Sequence, residues 1–215
     1  IAIDGPVGSG KSTISKLVAR DLDLIYLDTG AMYRLVTLKA LKMGILDENL
    51  ENLDKINELL DNLEIDIRED GFYLDGVDVS EEIRKPIVSE NVSKIAAIKE
   101  VRIKMVDLQR KFSKAKNVIL DGRDIGTVVF PNADLKVFLV ADARERANRR
   151  YKELTEKGEN VSLEEIYQNI LMRDKIDSTR EEAPLKKAED AIEVDTTSKS
   201  IDEVKEEILN LYKNL

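Results

Sequence analysis

The chain predicts an α/β protein. The expected fold is a P-loop, doubly wound, five-stranded parallel sheet with helices on both faces, an inserted lobe with a small antiparallel sheet, and a short lid. Three observations predict it. A glycine-rich loop with phosphate-binding spacing stands between a strand-like and a helix-like run, short apolar strands alternate with helical segments, and one stretch switches to period two.

Ile1-Ala2-Ile3 reads as the first strand and leads into Gly5-Pro6-Val7-Gly8-Ser9-Gly10-Lys11-Ser12-Thr13, which fits Gly, four residues, Gly-Lys-Ser/Thr. Glycines at this spacing let backbone N–H groups turn inward around phosphate oxygens while the positive end of the next helix faces the same anion. Lys11 is then expected on the outer phosphates, and the Ser12 hydroxyl on a magnesium ion that keeps several waters. The spacing predicts a helix over 12–22 and a second buried strand over 24–28. A helix follows from Thr29 to about Met43, ended by Gly44, and another over 49–62 with Leu50, Leu53, Leu59 and Leu60 on one side.

Residues 63–68 then alternate apolar and charged, and Asp70-Gly71 and Asp75-Gly76 mark turns into 72–74 and 77–79. A parallel core buried on both faces does not alternate in this way, so the small sheet, at about 63–79, belongs to an insertion. Ser80-Glu81-Glu82-Ile83 reads as a capped short helix, and Pro86 restarts the chain into helices over 87–97 and 100–114. Core strands are expected again at 117–121, 135–140 and 191–194, with helices over 144–157, 162–178 and 201–211. The expected division is one P-loop unit with core 1–34 and 116–215, inserted lobe 35–115 and lid 144–160. Ligands are expected at the carboxyl ends of the strands.

The composition narrows the chemistry. The 215 residues include neither Cys nor His, which leaves no thiolate nucleophile, no Cys/His zinc site and no His general base. A net charge of −9 argues against nucleic acid as a partner, and no apolar run approaches the length of a membrane span. The expectation is a cytoplasmic monomer without a signal peptide. The chain starts inside a strand-like run, which points to a few residues missing before Ile1, the initiator Met among them.

Against the acidic background, Arg clusters stand out. Asp121-Gly122-Arg123-Asp124-Ile125-Gly126-Thr127 leaves a core strand at the rim that carries the loop, although Arg123 and Asp124 could also be a surface ion pair. Arg146, Arg149 and Arg150, at i, i+3 and i+4, share a helix face and are expected to swing over a bound triphosphate; the plain alternative is a solvated face with Asp142 paired to Arg146. Arg173, Asp177 and Arg180 repeat this at i, i+4 and i+7, and Arg34 sits in the first turn of its helix, against the dipole. An acceptor hydroxyl wants a base, whereas an acceptor phosphate is already ionised near neutral pH and needs cations. The chain is rich in cations.

These residues resemble the bacterial cytidylate kinase family of nucleoside monophosphate kinases. The likeness runs over nearly the whole chain: the loop, Leu27-Asp28-Thr29-Gly30-Ala31-Met32-Tyr33-Arg34, Val101-Arg102 with Gln109-Arg110, the stretch over 121–131, Arg146-Ala147-Asn148-Arg149-Arg150, and Arg173-Asp174 with Asp177, Arg180, Pro184 and Leu185. The resemblance implies transfer of phosphate from ATP to CMP or dCMP with Mg2+. It implies that Thr29, Tyr33, Arg34 and Arg123 hold the acceptor's phosphate and sugar side, that Ser93, Arg102 and Asp124 read cytosine, that Arg173 and Asp177, with Arg180, serve the acceptor's phosphate and ribose, and that Arg146, Arg149 and Arg150 form a lid over ATP. It makes Lys11, Arg123, Arg146, Arg150 and Arg173 the catalytic set. The departures are conservative: Thr29 where Ser is frequent, Ile95 where Val is usual, Met105 where Leu is usual. The alternatives are a P-loop kinase of UMP, AMP or a hydroxyl substrate with Asp28 as base, or a nucleotide-switch module, against which the absence of an Asn-Lys-x-Asp stretch counts.

Overall fold

The computed structural model describes residues 1–46, 52–68, 70–114 and 116–215. In chain order the elements are β1 (Ala2–Asp4), α1 (Lys11–Asp21), β2 (Ile25–Asp28), α2 (Thr29–Lys42), α3 (Leu53–Asp61), β3 (Ile65–Arg68), β4 (Gly71–Leu74), β5 (Val77–Asp78), α4 (Pro86–Ile95), α5 (Lys99–Ser113), β6 (Val118–Gly122), β7 (Lys136–Val140), α6 (Ala143–Glu156), α7 (Leu163–Thr179), β8 (Ile192–Asp195) and α8 (Ile201–Lys213). A 3-10 turn lies at Glu82–Arg84 and a π-helical turn at Ile125–Val129.

Five strands form a parallel sheet in the order β2-β6-β1-β7-β8. Because β1 is flanked by β6 on one side and β7 on the other, the strand order reverses at β1, and sheets of this kind take ligands at the carboxyl end of that strand. Ile3, Ile119, Val137, Leu139 and Val194 pack with Ile14 and Val18 of α1 and with Val204, Ile208 and Leu209 of α8. Branched side chains suit strands buried on both faces, and this apolar burial is what holds the sheet edge in place under the site.

The chain forms two compact units, Ile1–Asp28 with Phe112–Leu215, and Thr29–Lys111. The second unit has its own core of Ala31, Leu35, Leu38, Leu74, Val79, Ile83 and Val88, and a three-stranded sheet in the order β3-β4-β5. Ile65 pairs with Leu74 and Ile67 with Phe72 across the antiparallel β3 and β4, while Asp66 and Arg68 point to solvent. The alternating stretch is therefore a half-wet sheet, as its period predicts.

Three local expectations need correction. β2 is an edge strand, with Ile25 50% exposed, because only β6 pairs with it. Ser80 caps no helix; its hydroxyl accepts from the Phe72 N–H at 2.8 Å and donates to Asp78 at 2.6 Å, and the 3-10 turn that follows has no side-chain cap. The helix expected over 49–62 is described from Leu53, with Asn52 accepting from the Lys55 N–H, and Asn49 and Leu50 lie outside the described residues.

Candidate active site

The phosphate loop turns on glycine. Gly5 has φ 151°, and a Cβ there would stand 2.2 Å from the Leu139 carbonyl oxygen, so any side chain would force β1 and β7 apart. Gly8 has φ 75°, and a Cβ there would stand 3.2 Å from Arg146 Cβ. α1 starts at Lys11 with no side-chain cap, which directs its positive end at the loop. Lys11 is buried, and its Nζ donates to the Pro6 carbonyl at 2.7 Å and to Ser9 Oγ at 3.4 Å. Burial, and then Arg123, push its pKa well below the ordinary lysine value, while Asp121, Asp4 and Asp177 pull it back up.

Ser12 Oγ donates to Asp121 Oδ2 at 2.8 Å, and the Tyr26 hydroxyl donates to Oδ1 of the same carboxylate at 2.7 Å. Asp121 is pushed up to about 6 by burial and by Asp28, against Lys11 and these two donors. A hydroxyl and a carboxylate at this spacing are hard oxygen donors that suit Mg2+. Among the described residues no group of three or more His, Cys, Asp and Glu could hold a metal, so an ion here would take its remaining ligands from phosphates and water.

The three arginines of α6, spaced to share a face, meet different partners. Arg146 is buried; it donates to the carbonyls of Ala141 and Val7 at 2.9 Å each and pairs with Asp174 at 2.7 Å, tying α6 and α7 to the phosphate loop. Asp142 is not its partner but the N-cap of α6, accepting from the N–H groups of Arg144 and Glu145. Arg149 donates to Thr196 Oγ1 at 3.1 Å, to the carbonyls of Thr196 and Thr197, and to Glu145. Arg150 is partly exposed and pairs with Glu153 at 2.7 Å. A spacing of three or four residues sets the direction of the Cβ atoms, and each long guanidinium then follows its own acceptor.

The stretch after β6 carries a buried charge network. Arg123 Nε donates to Asp177 Oδ2 at 2.9 Å, and Arg180 lies 3.8 Å from both Asp177 and Asp124. The alternative of a surface Arg123–Asp124 pair is overturned: Asp124 is only 3% exposed. Burial would raise Asp177, but Arg123, Arg180 and Arg173 hold it below the usual carboxylate value. Arg180 is the C-cap of α7 with extended backbone, not a member of its helical face, and it reaches the network while donating to the Ala183 carbonyl. Arg173 is buried on α7.

In the second unit Thr29 opens α2 and is buried, as is Ser93 on α4. Arg102 donates to the Ala96 carbonyl at 3.1 Å and lies over the Tyr33 ring at 5.5 Å. Arg34 is the sixth residue of α2, past the first turn that the sequence predicts for it, and donates to the Ile83 carbonyl at 3.0 Å and to Ser89 Oγ at 2.8 Å. Residue patterns missed Asp4, Asp121, Asp174 and Thr196 as site-building groups. Asp4, the last residue of β1, and Asp121, one residue before the end of β6, carried a signal in their position.

A family model described as cytidylate kinase matches residues 1–214. The chain is 55% identical over 210 residues to a cytidylate kinase of Clostridioides difficile strain 630, covering 98% of this chain and 96% of that one. It is 56% identical over 204 residues to a cytidylate kinase of Fusobacterium nucleatum, covering 95% and 92%. A third relative, from Alkaliphilus oremlandii, is 51% identical over the full chain and 98% of its own length. A crystal structure of an uncharacterized protein from Eubacterium ventriosum is similar in fold, with TM-score 0.53 and 13% identity over 100% of this chain and 97% of that one.

Proposed function

Because the chain belongs to the cytidylate kinase family, we propose that it moves the terminal phosphate of ATP to CMP or dCMP, giving ADP and CDP or dCDP. One observation in the structure carries this reading best: a complete phosphate loop shares a unit with three buried arginines, Arg146, Arg173 and Arg180, and the half-buried Arg123. Two anions have to approach each other for the transfer, and fixed guanidinium groups offset their repulsion as charge develops. One such arginine is worth about 10³ to 10⁵ in rate, or roughly 4 to 7 kcal/mol.

In this reading the loop from Gly5 to Thr13 cradles the phosphates of ATP, and Lys11 exchanges the Pro6 carbonyl for a phosphate oxygen. A magnesium ion held by Ser12 and Asp121 would neutralise charge on the phosphates. Arg123 and Arg173 meet the transferring group, and Arg146, Arg149 and Arg150, with residues 144–160 as lid, serve the ATP side. Thr29, Tyr33, Arg34, Asp177 and Arg180 hold the acceptor's phosphate and ribose. Ser93, Arg102 and Asp124 read cytosine: a carboxylate accepts from the N4 amino group, whereas uracil would set O4 against it, acceptor against acceptor. A cytoplasmic monomer that binds no nucleic acid fits the net charge of −9.

A turnover assay with ATP and magnesium against CMP, dCMP, UMP, AMP and shikimate tests the reading. CMP and dCMP should dominate, and a preference for AMP or shikimate would sink it. With chirally labelled ATP, direct transfer gives inversion at phosphorus, and net retention would require a phosphoenzyme instead.

A further inference from the structure

Asp4 closes the central strand β1, one residue before the phosphate loop, and is 5% exposed. Its charge favours the Lys11 cation of the loop, while its hydrogen bonds run to the turn after β6. Oδ1 accepts from the Ile125 N–H at 2.8 Å and Oδ2 from the Gly126 N–H at 2.7 Å. A buried carboxylate receiving two successive amides is a strong contact with strict geometry. Those amides begin the π-helical turn Ile125–Val129, and the two residues just before it are Arg123 and Asp124. Asp124 has φ −146° and ψ 25°, outside both helix and regular strand, so no ladder sets its direction. Lys136 packs against the same turn beside Asp4. Its stem lies where a Cβ on Gly126 would meet Cδ at 3.1 Å, and its Nζ reaches the Pro131 carbonyl and Asp190.

We infer that Asp4 is a positioning residue for base selection, which fixes, through the amides of Ile125 and Gly126, the direction in which Asp124 and Arg123 face the acceptor nucleotide. The inference rests on the reading of Asp124 as the cytosine-reading group. The chemistry calls for a carboxylate. Asn at position 4 offers one acceptor and turns its NH2 toward the second amide, donor against donor, in a dry site.

The experiment compares Asp4→Asn with Asp124→Asn in steady-state kinetics on CMP and UMP, with KM for ATP and thermal unfolding recorded for each. Asp4→Asn should raise KM for CMP and narrow the CMP-to-UMP ratio of kcat/KM by about tenfold, roughly 1.4 kcal/mol, while KM for ATP stays within about twofold. A lowered Tm with both CMP parameters unchanged well below melting would overturn the inference, as would an equal rise in KM for ATP. Should Asp4→Asn fail to fold, Gly126→Ala sets a methyl 3.1 Å from Lys136 Cδ and 3.4 Å from Asp4 Oδ2, crowds the turn that Asp4 holds, and has to show the same CMP-selective change. Asp124→Asn reports separately on the underlying reading, which fails if CMP and UMP activities fall by one factor.

Discussion

The phosphate loop and the turn over 121–130 leave neighbouring strands, β1 and β6, at the same end of the sheet, yet different forces hold them. In the loop the backbone does the shaping: glycines at positive φ, one of them where a Cβ would stand 2.2 Å from the Leu139 carbonyl oxygen, and a helix start with no side-chain cap. In the turn, side chains do it, with Asp4 on two amides and Arg123, Asp177, Arg180 and Asp124 in one buried network. A backbone-built site tolerates loss of a side chain without losing its shape. A charge-built site loses shape and chemistry together, because one removed partner leaves another charge buried alone.

The largest effect should come from Lys11→Met. It removes the loop's cation, and kcat should fall about 10² to 10³-fold. Stability should hold within about 1 kcal/mol, because burial already disfavours this charge and Met keeps the length of the side chain. Urea unfolding beside the kinetics decides it, and a collapse in stability would show that the side chain, not the backbone, shapes the loop.

Next in size is the pH response of the turn. Asp4 is pushed up from the ordinary 3.8 to about 6, first by burial, against the amides of Gly126 and Ile125, with Asp124 raising it and Lys11 lowering it. The folded protein then binds this proton more tightly than the unfolded chain does. Its contribution is present below about pH 3.8 and is lost as pH rises to about 6, with about 3 kcal/mol as an upper bound. Asp4→Asn should flatten the fall in stability between about pH 4 and 6, read from urea midpoints in a pH series. An unchanged slope would remove the buried carboxylate from the account of the turn.

The smallest effect on stability belongs to Arg150→Ala. Its pair with Glu153 is exposed on both sides, so unfolding free energy should move by no more than about 0.5 kcal/mol. A tenfold loss in kcat/KM for ATP at that nearly unchanged stability would mark Arg150 as a lid residue. No loss would leave it a surface pair.

The order of strands and helices, the phosphate loop and the separate antiparallel sheet were legible in the residues, because each is a local pattern. Glycine spacing records φ, a period of two records a half-wet sheet, and Lys11 and Ser12 follow from the motif itself. Family resemblance named Arg123, Asp124, Arg173 and Asp177, but not what holds them. The edge position of β2, the separate destinations of Arg146, Arg149 and Arg150, and the clamp from Asp4 to residues 121 and 122 positions away were decided only in three dimensions. Sequence spacing fixes where a Cβ points along one element. Which acceptor a long guanidinium meets, and which distant amides a buried carboxylate satisfies, depends on how strands far apart in the chain come to lie side by side.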